Sequence, residues 1–222
     1  MGTVSSAETL HTPTAPARRG VPAVVRTLAW GLVVVLALRF VSKNALQYVT
    51  TFDAATYGPF WDRAPWLLLH ITTGMAALFA GLAQFWTGAR RRHMRVHRWT
   101  GRAYLAAIAV SSLVAIRLVA GTKFGWVYGA GILGLAVAWV STSGLAYAAI
   151  RRRDVAQHRE WVTRSYVVTF AFVTFRALFD TLGALQVGTP PERLAVAAWF
   201  CWSVPLLVTE LVLQGRKVLV KG

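Results

Sequence analysis

The chain has one cysteine and only eight acidic residues among 222, and both shortages narrow what it can be. A lone thiol, Cys201, excludes an intramolecular disulfide and any thiolate metal cluster built within one chain. Inside an apolar run, that thiol reads as a small packing residue. Charged residues make up 14% of the chain, well below the roughly 25% of a soluble domain, so a water-soluble fold would lack polar surface to wrap its core. A phosphate-binding glycine loop, a nucleophile elbow and a metalloprotease helix are also missing, which removes the commonest signatures of soluble enzymes.

What is present is apolar and aromatic: 56% hydrophobic residues and ten tryptophans. Residues 1–20 are rich in Ser, Thr, Ala and Pro and read as a disordered cytoplasmic tail. Met1-Gly2 with Ser6, and Arg18-Arg19, are too short and too isolated to serve as lipidation or export signals. Six apolar runs follow at 21–41, 67–87, 99–120, 126–150, 161–183 and 194–213, each near the ~20 residues that a bilayer core requires. Residues 21–215 are therefore expected to form an all-α, six-span membrane domain, followed by a basic tail at 216–222. Residues 42–65 read as a long extracytoplasmic loop, and 188–192, Gly-Thr-Pro-Pro-Glu, as a turn that no helix crosses. Along the second span, His70, Gly74, Ala77, Gly81 and Gln84 recur at helical spacing, a small and polar stripe suited to close helix packing.

The formal charge of +16 would suggest nucleic acid if it lay on one soluble face. It lies instead in short basic hinges between apolar runs. Arg90, Arg91, Arg92, His97, Arg98, Arg102 and Tyr104 of the first hinge reappear in order as Arg151, Arg152, Arg153, His158, Arg159, Arg164 and Tyr166 of the second. Such self-similarity predicts a duplicated two-helix unit, spans 2–3 and 4–5. Most Lys and Arg residues sit in the amino tail, the two hinges and the carboxyl tail, so the positive-inside rule puts both termini in the cytoplasm.

Polar groups inside the spans mark candidate sites, because an ionisable side chain in the bilayer costs roughly 3 kcal/mol by insertion scales. By depth they form two layers with an apolar middle between them. Toward the cytoplasm lie His97, Arg102, His158, Arg164 and Glu210. Two imidazoles at one depth on facing helices are what a b-type haem requires, with Arg102 and Arg164 placed for its propionates. The structural alternative is that these residues only end their spans at the interface. Toward the other side lie His70, Arg117, Arg176 and Asp180, a layer able to bind an anionic group or carry protons, in which Arg176 and Asp180 also suit a simple i,i+4 ion pair. His93, matched by Asp154 in the second hinge, reads as a solvated loop residue.

The runs His70-Ile-Thr-Thr-Gly74 through Phe85, His97-Arg-Trp-Thr-Gly-Arg-Ala-Tyr104 and His158-Arg-Glu-Trp-Val-Thr-Arg-Ser-Tyr166, with Arg176, resemble a bacterial family of multipass membrane proteins known as domain of unknown function 2306. That resemblance implies a functional unit in spans 2–5, a place in the bacterial inner membrane, and His70, His97 and His158 as its test positions. More distantly the pattern is similar to membrane cytochromes b, although no second histidine stands at the depth of His70, so at most one haem is implied. The expected function is a redox protein holding one b-type haem or a quinone-like cofactor. A small transporter, or an assembly factor with membrane-protein partners or a second copy of itself, stands beside that reading.

Overall fold

The computed structural model describes residues 23–90 and 93–220. The expected tail at 1–20, Arg91 and Arg92 of the first hinge and the last two residues lie outside these. Among the described residues there is no strand, and six segments are long and apolar enough to cross a membrane: Ala23–Thr50, Ala54–Ala89, Met94–Val119, Trp126–Arg151, Val155–Ala184 and Pro190–Leu219. The chain is an all-helical membrane protein.

The helices are longer than the apolar runs. α1 (Ala23–Phe40) continues through a wide turn at Val41–Ala45 into α2 (Leu46–Thr50), so the loop expected to begin at residue 42 is helical to residue 50. Nothing between 41 and 50 breaks a helix, since Pro and Gly are absent there. The chain turns only at Thr51, Phe52 and Asp53. Asp53 then caps α3 (Ala54–Tyr57), its carboxylate accepting from the Thr56 N–H at 2.7 Å, which holds that carboxyl below its usual range. A tight turn at Gly58–Arg63 leads into α4 (Ala64–Arg90).

α5 (Met94–Val119) begins five residues before the expected span, and α7 (Val155–Thr169) six before it. Both hinges therefore shorten, and His97 and His158 sit inside helices, one turn from their starts. Between these helices lies α6 (Trp126–Arg151); after Phe170 the fifth span continues as α8 (Ala171–Ala184). α9 (Pro190–Val220) extends past the expected end at 213 and takes Arg216 and Lys217 of the expected tail into the helix. Its start is capped by the side chain of Glu192, which reaches back to Thr189. Thr189 donates its N–H and its hydroxyl to Glu192 at 2.7 and 2.8 Å, while the prolines occupy the first turn, where a missing N–H costs nothing.

α4 pairs with α5, α6 with α7, and α9 closes against α6, α7 and α8. One core joins Ala77, Tyr104, Ile108, Leu135, Trp139, Val168, Ala171 and Cys201. The cysteine is thus a packing residue. At the α6–α9 crossing, a Cβ added to Gly131 would lie 2.9 Å from the Cβ and 3.0 Å from the carbonyl carbon of Ala198. Small residues there bring the backbones close, as membrane helices with no hydrophobic drive between them require. The small stripe on α4 faces inward as its spacing predicts: Ala77 is fully buried, and Gly81 leaves room for the Tyr166 ring. α1 is different. It packs chiefly through Ala37, while Val24, Leu28, Leu32 and Val35 stay more than half exposed, an apolar face suited to a lipid environment.

Candidate functional site

His97 and His158 line one cavity of about 300 Å³ between α4, α5, α6 and α7. Each is half-buried and each is anchored on the preceding helix of its own hairpin. His158 Nδ1 lies 2.8 Å from the carbonyl oxygen of Ala146. A carbonyl only accepts, so Nδ1 carries the proton and Nε2 keeps its lone pair. His97 Nδ1 lies 2.9 Å from the Thr87 hydroxyl, which donates its own proton to Ala83 O at 2.7 Å. The Thr87 oxygen thus receives the Nδ1 proton, and His97 acquires the same tautomer. Neither Nε2 has a hydrogen-bond partner among the described residues.

The local sequence explains this arrangement. The absence of a side chain at Gly88 admits the imidazole of His97, since a Cβ there would lie 3.2 Å from its Cε1. At Gly101 the Gln84 amide fills the matching space, and Gln84 Nε2 donates to His97 O at 2.6 Å and also to the Thr100 hydroxyl.

The floor of the cavity is a cluster of buried hydroxyls. Tyr104 Oη lies 2.7 Å from both Ser165 Oγ and Thr169 Oγ1, Ser143 Oγ lies 2.7 Å from Ser165 Oγ, and Trp139 Nε1 donates to Thr169 at 2.8 Å. The apolar middle expected from the spans is therefore interrupted, because three helices, α5, α6 and α7, each bring one or two polar groups to one place. Every member is hydrogen-bonded, which is how such a network avoids the penalty of burial.

The expected propionate partners separate. Arg102 lines the cavity, with its guanidinium 5.1 Å from the centre of the Trp99 ring. Arg164 does not line it. It is buried, 5% exposed, and held by Glu210 at 2.6 Å and Glu160 at 3.6 Å, over the Trp161 ring at 4.6 Å. Two carboxylates already balance its charge. Arg98 and Arg151 border the cavity instead, with Arg151 donating to the Tyr147 hydroxyl at 3.3 Å. Their position follows from the early start of α5 and from the end of α6.

The second layer also divides. His70 and Arg176 line another cavity of about 270 Å³, near the opposite ends of α4 and α5. Arg176 pairs with Asp180 at 3.0 Å, both about half exposed. Arg117 is exposed and borders neither cavity. At the end of α5, the carbonyl of Leu118 and that of Gly121 just beyond the helix are satisfied by Arg63, at 2.6 and 2.7 Å, a helix-end contact that no spacing announced.

Comparison with curated proteins finds no similar chain, and comparison with solved structures finds none either. A family model does match, over residues 67–213, a segment that holds the whole lining of the His97/His158 cavity together with His70 and Arg176 of the other. The chain belongs to the family described as predicted membrane protein, domain of unknown function 2306 (DUF2306).

Proposed function

We propose that this chain is a redox protein of the bacterial inner membrane that holds one b-type haem between His97 and His158, its termini in the cytoplasm. One observation carries the reading: two imidazoles border one cavity, each with Nδ1–H fixed by a neighbouring oxygen and Nε2 left without a partner. An oxygen behind the far ring nitrogen is the usual support of a histidine that ligates through the other. The matching residues of the two hinges fit a duplicated helical hairpin in which each copy supplies one such histidine.

The donor set suits the group. His97 and His158 would hold the iron of such a group through neutral imidazoles, and Arg98, Arg102 and Arg151 at the border would supply cations for its carboxylates. Arg164, spent on Glu210 and Glu160, is left out of that role. A bis-histidine haem supplies one-electron transfer, with a potential set by its ligands and their hydrogen bonds. The chain's own part is to hold both rings in the ligating tautomer, to keep water from the floor through the Tyr104–Ser165–Ser143 cluster, and to place positive charge on the cytoplasmic side.

The test is the visible absorption spectrum of the detergent-purified protein from haem-sufficient cells, oxidised and then reduced with dithionite. A Soret band that sharpens on reduction is the expected result. Colourless protein overturns the haem reading.

A further inference from the structure

We infer that the cavity around His70 binds the headgroup of a membrane quinol, a hydroquinone that donates an O–H to His70 Nε2 and accepts one from Ser112. Three features of the cavity lead there. Its walls include Tyr48, Phe60, Tyr128, Trp139, Phe172 and Phe175, so the space fits a flat, apolar ring. The tautomer of its histidine follows from Ser111: His70 Nδ1 lies 3.0 Å from both the carbonyl and the hydroxyl oxygen of that residue, and because the carbonyl only accepts while the hydroxyl can turn its proton to His70 O at 3.5 Å, Nδ1 donates and Nε2 keeps a lone pair with no partner among the described residues.

The third feature is an unpaired hydroxyl. Ser112 Oγ is buried, its residue 5% exposed, and it is one of two buried side-chain polar atoms among the described residues without a hydrogen bond. Hydroxyls in membrane helices normally bond back to the preceding turn, as Thr73, Thr87, Thr100 and Thr142 do here. Ser112 does not, and it lines the same cavity as His70. A buried polar group left open in this way calls for an external partner.

The two groups together select the ligand. A phenolic hydroxyl completes both, giving its proton to Nε2 and its lone pair to Ser112. A bare anion would set its lone pairs against that of Nε2, and Arg176, the one cation among the described residues of the lining, is already matched by Asp180 at 3.0 Å. A cation would face Arg176. The ligand is a lipid-phase molecule because the outer wall, through Phe40 and Asn44, is formed by α1 and the turn after it, the segment with the least protein packing. This site does not depend on the haem reading, since it shares no residue with the His97/His158 cavity.

The experiment is calorimetric titration of the purified full chain in detergent with a short-tailed benzoquinol, under anaerobic reducing conditions, beside the O,O-dimethyl ether of the same compound. The ether keeps the ring and loses both donors. The quinol is expected to bind at least about tenfold more tightly than the ether, and Ser112→Ala to weaken the quinol by about fivefold to tenfold, the size of one hydrogen bond. The same variant should melt at or above the wild-type temperature without ligand, because it removes an unsatisfied hydroxyl and no contact. No binding, equal binding of quinol and ether, or an unchanged affinity in Ser112→Ala overturns the inference. So does tighter binding of benzoate, which would make Arg176 the centre of an anion site. Colourless protein that still binds quinol through Ser112 would remove the haem and keep this site, and coloured protein that does not bind quinol would do the reverse.

Discussion

The two cavities sit near opposite ends of one helical bundle, and their polar groups are organised differently. At the end that carries the two arginine-rich hinges, two imidazoles face a shared space, each locked by an oxygen behind it. At the other end a single imidazole is joined by one unpaired hydroxyl and a ring of aromatic side chains. Two like donors suit one central atom that accepts from both sides. One acceptor beside one donor suits a ligand with its own O–H. The nearby charges follow the same division: Arg164 is buried and neutralised twice by carboxylates, whereas Arg176 meets Asp180 at the exposed border, where such a pair stabilises little.

The largest expected effect separates the ends outright. His97→Ala and His158→Ala should each abolish the visible absorption of the purified protein, and His70→Ala should leave it intact. A spectrum lost in His70→Ala would break the comparison. Next, Glu210→Gln leaves buried Arg164 with Glu160, at 3.6 Å, as its only carboxylate among the described residues. A fully buried broken pair costs 3–5 kcal/mol, and the partial exposure of Glu210, 43%, places this loss at about 3 kcal/mol. Melting should fall by roughly 6–12 °C in a chain of this size. Smaller again is Gly131→Ala, whose new methyl meets backbone of Ala198 and should cost about 2 kcal/mol by overpacking. Gly144→Ala on the same helix, with nothing within 4 Å of its Cβ position, should cost nothing, and the difference in melting temperature checks the α6–α9 approach. Smallest is Arg176→Gln, expected to change stability by less than about 1 kcal/mol because both partners are exposed.

The fold was largely legible in the sequence because a bilayer imposes length and apolarity that can be counted. Six runs became six spans. Their ends were less legible: α5 and α7 start among Arg and His residues that no hydropathy count includes, yet these residues favour the helix and reach the interface along their own length. The continuation of α1 past residue 41 carried the opposite lesson, since the loop expected from residue 42 starts only at Thr51, with nothing before it to break the helix. In the site, His97 and His158 were visible through their matching hinges, and Arg102 through its nearness to them. The misplacement of Arg164 had a physical cause: depth and spacing do not show which face of α7 meets α9, where Glu210 waits. Thr87, Ala146 and Ser112 were invisible because a carbonyl, or a hydroxyl among many, has no spacing signature. Only packed helices show which of them lacks a partner.

The most direct test of two histidines serving one group is chemical rescue. His97→Gly and His158→Gly, purified separately, should each lose the Soret band and regain it when imidazole is added, since the cavity then accepts the missing ring as a free ligand. A band that survives in either variant, or that imidazole restores in one and not in the other, would contradict a haem held between the two.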